Sequence, residues 1–265
     1  MTRVIVHAGF YKTGTTSLQR YFERNAHRLD GVHYFKKDAF SDSAVAARMY
    51  ALRPFIWRRL SFRRAFERAL ETLPDTQIII LSREQFSGVM PGSRTIWRRR
   101  VTDFRTAGIP LAREISRALK RRFGPETEIE FLYTLRDGES WVHSVYRHQL
   151  RSRKLTESFK PFRKTFPTTI DLRQQADDIA KAARATSVHF STLEDTASSK
   201  FGPATALLGL LDLDESTLNE LPRARLENEG LSEELTVQFQ DLNKSSLRKS
   251  ELKSAKKALI QARNT

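Results

Sequence analysis

The sequence predicts an α/β protein with a central parallel β-sheet flanked by helices, in a single domain over 1–265. Two observations carry this. Apolar, strand-like runs alternate with amphipathic helical stretches through the N-terminal half, and the first run leads through a glycine-bearing turn straight into a helix. Parallel strands need a crossover connection, and an amphipathic helix supplies it while covering one face of the sheet.

Arg3 to Ala8 is the first predicted strand. A turn over Gly9 to Gly14 leads into a helix from about Thr15 to His27, with Leu18, Tyr21, Phe22 and Asn25 toward one side. Val32 to Phe35 reads as a second strand. From Ser43 to Leu73 the pattern is helical, interrupted at Pro54. Gln77 to Ser82 is β-branched and follows a Pro74-Asp75 turn signal, so it reads as a strand. The segment from Pro91-Gly92 to Gly108 is basic and has no clear period. Leu111 to Phe123 has helical spacing and stops at Gly124-Pro125. In Glu128 to Leu135, Ile129, Phe131 and Tyr133 alternate with Glu130, Leu132 and Thr134, which is strand periodicity. Gly138 to about Arg153 is helical. Two prolines and many charges mark Leu155 to Thr169 as an excursion or lid. Asp171 to Ala185 reads as a helix and Ser187 to Phe190 as a short strand. From about residue 196 the chain is helical and polar, and Lys244 to Arg263 is expected to fray. No internal repeat or interdomain linker stands out.

The 265 residues suffice for one substantial core. There is no cysteine, which excludes disulfides, thiolate nucleophiles and cysteine-held zinc or iron–sulfur centres. The longest apolar stretches, Ile78 to Leu81 and Ala204 to Leu211, fall far short of the ~20 residues that span a bilayer. With strand residues from Val4 onward, no signal or transit segment is expected, and the chain is read as soluble and cytoplasmic. Net charge is +15. Arginine is concentrated at Arg58, Arg59, Arg63, Arg64 and Arg68, at Arg98, Arg99 and Arg100, and from Arg113 to Arg122. Such runs are either solvated helix faces or a surface that draws an anion: a phosphorylated cofactor, an acidic glycan or lipid headgroup, or nucleic acid. Charge alone does not choose among them.

The most informative segment is Ala8-Gly9-Phe10-Tyr11-Lys12-Thr13-Gly14-Thr15-Thr16-Ser17, between a predicted strand and a predicted helix. There, backbone N–H groups and the positive helix end converge on an anion. Gly14 lets the backbone approach a phosphate, Thr15, Thr16 and Ser17 offer amide and hydroxyl donors, and Lys12 adds a cation. Hydrogen bonds to charged groups contribute roughly 1.5–3 kcal/mol each, so four or five hold a nucleotide. The plain alternative is a glycine turn with a Thr/Ser helix cap. A Walker A loop needs Gly-x-x-x-x-Gly-Lys and then Ser or Thr. Gly9 and Gly14 have that gap, but Thr15 stands where the lysine belongs.

Tyr11 to Ser17 resembles the 5′-phosphosulfate loop of the sulfotransferase superfamily, commonly Pro-Lys-Ser/Thr-Gly-Thr-Thr/Ser, with Tyr11 in place of the usual proline. The resemblance implies a P-loop-like three-layer sulfotransferase fold. It also implies 3′-phosphoadenosine 5′-phosphosulfate as co-substrate, leaving as adenosine 3′,5′-bisphosphate. Lys12 then contacts the 5′-phosphate and stabilises charge on the bridging oxygen, while Thr13, Gly14, Thr15, Thr16 and Ser17 bind phosphate. In the same superfamily a strand ends in Arg and a Ser follows eight positions later on the next helix, the pair gripping the 3′-phosphate. Arg136, after Phe131 to Leu135, and Ser144 have that spacing. Arginine's planar fork suits phosphate; a surface Arg and a helix-face Ser would give the same spacing by chance. Val188 to Asp195 is a weaker echo of a strand-plus-acidic segment. The Arg-Lys-Gly loop of cytosolic small-molecule members is not recognisable, and Arg223, Arg225 and Asn228 lie in its general region.

Sulfuryl transfer resembles phosphoryl transfer and needs a base for the acceptor's proton. Glu84, just past the Gln77–Ser82 strand, is the candidate, and it matches the glutamate typical of members acting on glycans and protein tyrosine. Its plain alternative is a surface acid paired with Arg83 or another arginine. His33 is a competing base, His7 a core residue, and His143 and His148 are structural. No metal is expected. The acceptor is a hydroxyl or amine on a glycan, lipid or small molecule. An anionic glycan or lipid would suit the arginines of Phe55 to Arg68 and Trp97 to Arg105. Two other readings are a P-loop kinase-like phosphotransferase and a non-enzymatic basic protein binding polyanions or RNA. No nucleic-acid recognition motif supports the second.

Overall fold

Five parallel strands form the sheet in the structure, a computed structural model that describes residues 2–35, 37–225 and 231–263. β1 (Arg3–His7) runs into α1 (Thr15–Asn25) and then β2 (Val32–Phe35). Helices α2 (Ser41–Leu52) and α3 (Ile56–Glu71) precede β3 (Ile78–Ser82). α4 (Arg105–Phe123) precedes β4 (Glu128–Leu135), which is followed by α5 (Gly138–Ser152), α6 (Phe159–Arg163) and α7 (Leu172–Ala183). β5 (Ser187–Thr192) completes the sheet, and the remaining helices are α8 (Leu193–Thr196), α9 (Thr205–Leu208), α10 (Glu215–Glu220), α11 (Glu233–Lys244) and α12 (Lys249–Arg263).

The strand order is β2-β3-β1-β4-β5. β1 and β3 are buried beyond their first residue, the continuous burial of strands covered on both faces. Ile5, Ile80 and Leu132 join Leu18, Tyr21 and Phe22 of α1 and the 204–221 leucines in one core layer. By alternation, Val4, Val6, Phe131 and Tyr133 face the other side. There Phe10 stacks on Phe104 at 4.0 Å between ring centres, and α4 packs against both α3 and α7. Sheet and helices thus make three layers.

The chain divides into two compact units, Met1–Asp137 with Asp171–Glu227, and Gly138–Ile170 with Asn228–Thr265. The first holds the sheet. The second is helical, with Trp141, Phe162 and Phe239 buried in it.

Three stretches differ from the sequence reading. α4 begins at Arg105, six residues early, and runs through Gly108 and Pro110. Gly108 is the contact point with α7: a Cβ there would come 2.7 Å from Ile179 Cδ1, so packing overrides local helix breakers. The Leu155–Thr169 excursion contains α6, whose Arg163 bonds Glu139 and the carbonyls of Pro167 and Thr168. The end expected to fray forms α12, where buried Lys256 donates to the Leu150 and Arg153 carbonyls at 2.5 and 2.8 Å. No helix among the described residues is long and apolar enough to cross a membrane.

Candidate functional site

β1 hands the chain toward β2 at one edge of the sheet, while β4 hands it toward β5 at the other. Between the carboxyl ends of β1 and β4 the connections therefore diverge, and open α/β sheets take ligands in the crevice at such a point. The Gly9–Gly14 turn leaves β1 here, and Arg136 directly follows the last residue of β4.

Backbone geometry shapes the turn. Lys12 and Gly14 have positive φ, 70° and 91°, on either side of Thr13. Such alternation turns successive N–H groups to one side, making an anion-holding concavity. Gly14 is the N-cap of α1 and no side chain caps that end. Ser17 N and Leu18 N donate to the Gly14 carbonyl at 3.0 and 3.2 Å, so of the first N–H groups of α1 those of Thr15 and Thr16 lack an acceptor within the helix. Thr13 and Thr15 both direct their hydroxyls to the Phe10 carbonyl, at 2.6 and 3.1 Å, which fixes the turn and leaves them their amides as donors. Gly9 admits no side chain: a Cβ would lie 2.4 Å from His7 Nε2 and 2.9 Å from Thr134 Oγ1. At Gly14 it would meet Leu193 Cδ1 at 2.9 Å and Pro203 Cγ at 3.1 Å. The segment echoed at Val188 to Asp195 thus packs against the turn. Packing around the turn thus demands both glycines, and convergent N–H groups of this kind suit one anionic group such as a phosphate.

Beneath the turn runs a buried polar chain that sequence reasoning missed. Thr13 Oγ1 shares a 2.8 Å hydrogen bond with Thr134 Oγ1, which is 3.4 Å from His7 Nε2. His7 Nδ1 meets Ser82 Oγ at 2.7 Å, and Gln19 Nε2 donates to the same hydroxyl at 3.2 Å. The chain links the ends of β1, β3 and β4 to the turn and to α1. The available signal was the register: β4 overruns β1 by three residues, placing Thr134 under the turn. Burial pushes the His7 imidazole down to about 3 from its usual 6.5, so it is neutral in the folded protein. Between those values the unfolded chain binds a proton that the folded chain refuses. The stabilisation is complete above pH 6.5 and is lost as pH falls. Denaturant unfolding should therefore show stability dropping from pH 7 to 5, by up to about 1.4 kcal/mol per pH unit. His7→Gln should flatten that slope; an unaltered slope would show that His7 does not carry it.

Glu84 opens a 3-10 turn, Glu84–Ser87, at the carboxyl end of β3. Phe86 anchors that turn among Phe40, Phe62 and Phe66. Ser87 Oγ donates to the Ala8 carbonyl at 2.5 Å, and Tyr11 OH donates to the Gly88 carbonyl at 3.3 Å, so Glu84 is tied to the Lys12 turn. Burial, and then the Glu84 charge, push the Tyr11 phenol up, and Glu84 also acts on the buried Arg83. His33 is in register with Ile79, near the amino end of β3, and lies away from these groups.

The Arg136 junction is braced by Asp137 N donating to Glu194 Oε1 at 3.4 Å. Ser144 is half-buried on α5, in the second unit. His143, also on α5, stacks on Phe159 at 3.7 Å. Arg223 and Arg225 are exposed in the first unit, and Asn228 lies outside the described residues. A cavity of about 380 Å³ between α4 and α7, lined by Arg113, Arg117, Lys120 and Arg184, holds none of these groups. Among the described residues no cluster of His, Asp or Glu has the arrangement of a metal site. No family model and no curated protein matches the chain.

Proposed function

We propose that this chain is a sulfotransferase, moving the sulfuryl group of 3′-phosphoadenosine 5′-phosphosulfate to a hydroxyl or amine acceptor. One observation carries the reading. The two segments that resemble phosphate-gripping motifs, the Lys12 turn and Arg136, leave the carboxyl ends of neighbouring parallel strands where their connections diverge. A bisphosphorylated nucleotide presents phosphates at both ends of its ribose and needs two such anion sites.

The co-substrate supplies an activated sulfur–oxygen bond whose bridging oxygen departs with the bisphosphate. The amides of Thr13 to Thr16 and the hydroxyls of Thr16 and Ser17 hold the 5′-phosphate. Lys12 neutralises the charge that grows on the departing oxygen. Arg136 takes the 3′-phosphate. Glu84 accepts the acceptor's proton as the acceptor atom bonds to sulfur, the arrangement of a positioned general base.

The test is transfer from labelled co-substrate to a panel of glycans, lipids, phenols and alcohols, run beside Glu84→Gln. The variant should keep its affinity for adenosine 3′,5′-bisphosphate while turnover falls by about 10²-fold or more. Equal turnover removes Glu84 from the reaction. Failure of the unaltered protein to bind the bisphosphate would sink the whole reading.

A further inference from the structure

We infer that the tip of the segment between β3 and α4, together with the start of α3, is a docking surface for an anionic lipid bilayer. The segment that lacked a period in the sequence is a small hairpin. Val101 N donates to Ser93 O and Thr95 N to Arg99 O, both at 2.8 Å, and Arg94 bridges Arg100. Arg98, at φ 60°, makes the turn, and Ile96 N donates to Leu52 O at 2.9 Å, pinning the tip to the end of α2. The tip is therefore built, and what it presents is apolar.

Trp97 is 57% exposed and Trp57, beside it, 59%. Phe55 joins them, stacking on Trp57 at 4.5 Å and meeting Trp97 edge-on at 6.0 Å. Ile56 and Ile96 complete the patch, so four of the six large apolar side chains exposed among the described residues gather here. Exposed apolar patches of this kind mark interaction sites.

Charge identifies the occupant. Neither 53–66 nor 85–102 contains an Asp or Glu, while Arg53, Arg94, Arg98 and Arg99 stand exposed around the aromatic rings. Tryptophan settles at the headgroup level of a bilayer, aliphatic tips bury just below it, and arginines meet the anionic surface. A neutral glycan would call instead for amide or carboxylate side chains to pair its hydroxyls, and 53–58 and 94–100 have none. Exposure and charge carry this inference, whatever the chain catalyses.

The experiment is co-sedimentation of the full chain with vesicles of phosphatidylcholine alone and with about 30% phosphatidylglycerol. Binding should require the anionic lipid and weaken as salt rises above about 0.1 M. Tryptophan emission should shift to the blue; the third tryptophan, Trp141, is fully buried, so the shift reads the patch. Trp57→Ala with Trp97→Ala, both at exposed positions, should reduce vesicle binding by about ten-fold or more, as should Arg98→Glu with Arg99→Glu. The proposal falls if the unaltered chain ignores anionic vesicles or if the double tryptophan variant binds them equally well. Retention on heparin without vesicle binding would give the patch to a polyanionic glycan and also overturn it.

Discussion

Replacing Lys12 with alanine is expected to lower sulfuryl transfer by roughly 10²–10³-fold, the usual effect of removing one donor that acts on developing charge. The fold should be unaffected. Lys12 already holds a left-handed backbone at φ 70°, and alanine meets the same steric cost there, so strain is not altered. The turn itself is fixed by the Thr13 and Thr15 hydroxyls on Phe10 and by Thr134, none of which involves the lysine side chain. Single-turnover measurement with labelled co-substrate separates this from acceptor binding. Transfer in the variant within a few-fold of the unaltered rate would remove Lys12 from the chemistry.

Arg136→Ala is expected to erase most of the preference for adenosine 3′,5′-bisphosphate over adenosine 5′-phosphate, by about 10- to 100-fold in relative affinity. A charged hydrogen bond contributes roughly 1.5–3 kcal/mol, and a guanidinium can offer two to one phosphate. The junction should survive the change, because Leu135 stays in register with Thr192 and Asp137 N stays on Glu194. Titration calorimetry with the two nucleotides reads the ratio directly. An unchanged ratio would assign the 3′-phosphate to other groups.

Strands were the most legible part of the sequence. The stretch expected at Arg3 to Ala8 is Arg3–His7, that at Gln77 to Ser82 is Ile78–Ser82, and Glu128 to Leu135 is matched end to end. Strands buried on both faces carry their signal in every residue. α4 was legible only from Leu111, because Gly108 and Pro110 speak against a helix that Ile179 nevertheless holds in place. At the candidate site, the turn was legible from its glycines and hydroxyls, which act locally. The adjacency of β1 and β4 was not, since strand order is decided by contacts between residues far apart in the chain. For the same reason Thr134 passed unnoticed: it differs from any other strand threonine only in what lies above it. The hairpin at 92–101 escaped because its hydrogen bonds, not an apolar alternation, define it.

The placement of β1 also has a consequence for birth on the ribosome. β1 sits in the middle of the sheet but is translated before both its neighbours, β3 and β4, and its ion pair with Glu130 spans 127 residues. At about 5–20 residues per second, its second neighbour emerges on the order of ten seconds later. Until then Val4, Ile5 and Val6 have a bare edge able to pair with other nascent chains. Holdase chaperones should therefore matter to this protein during translation, while that edge is bare.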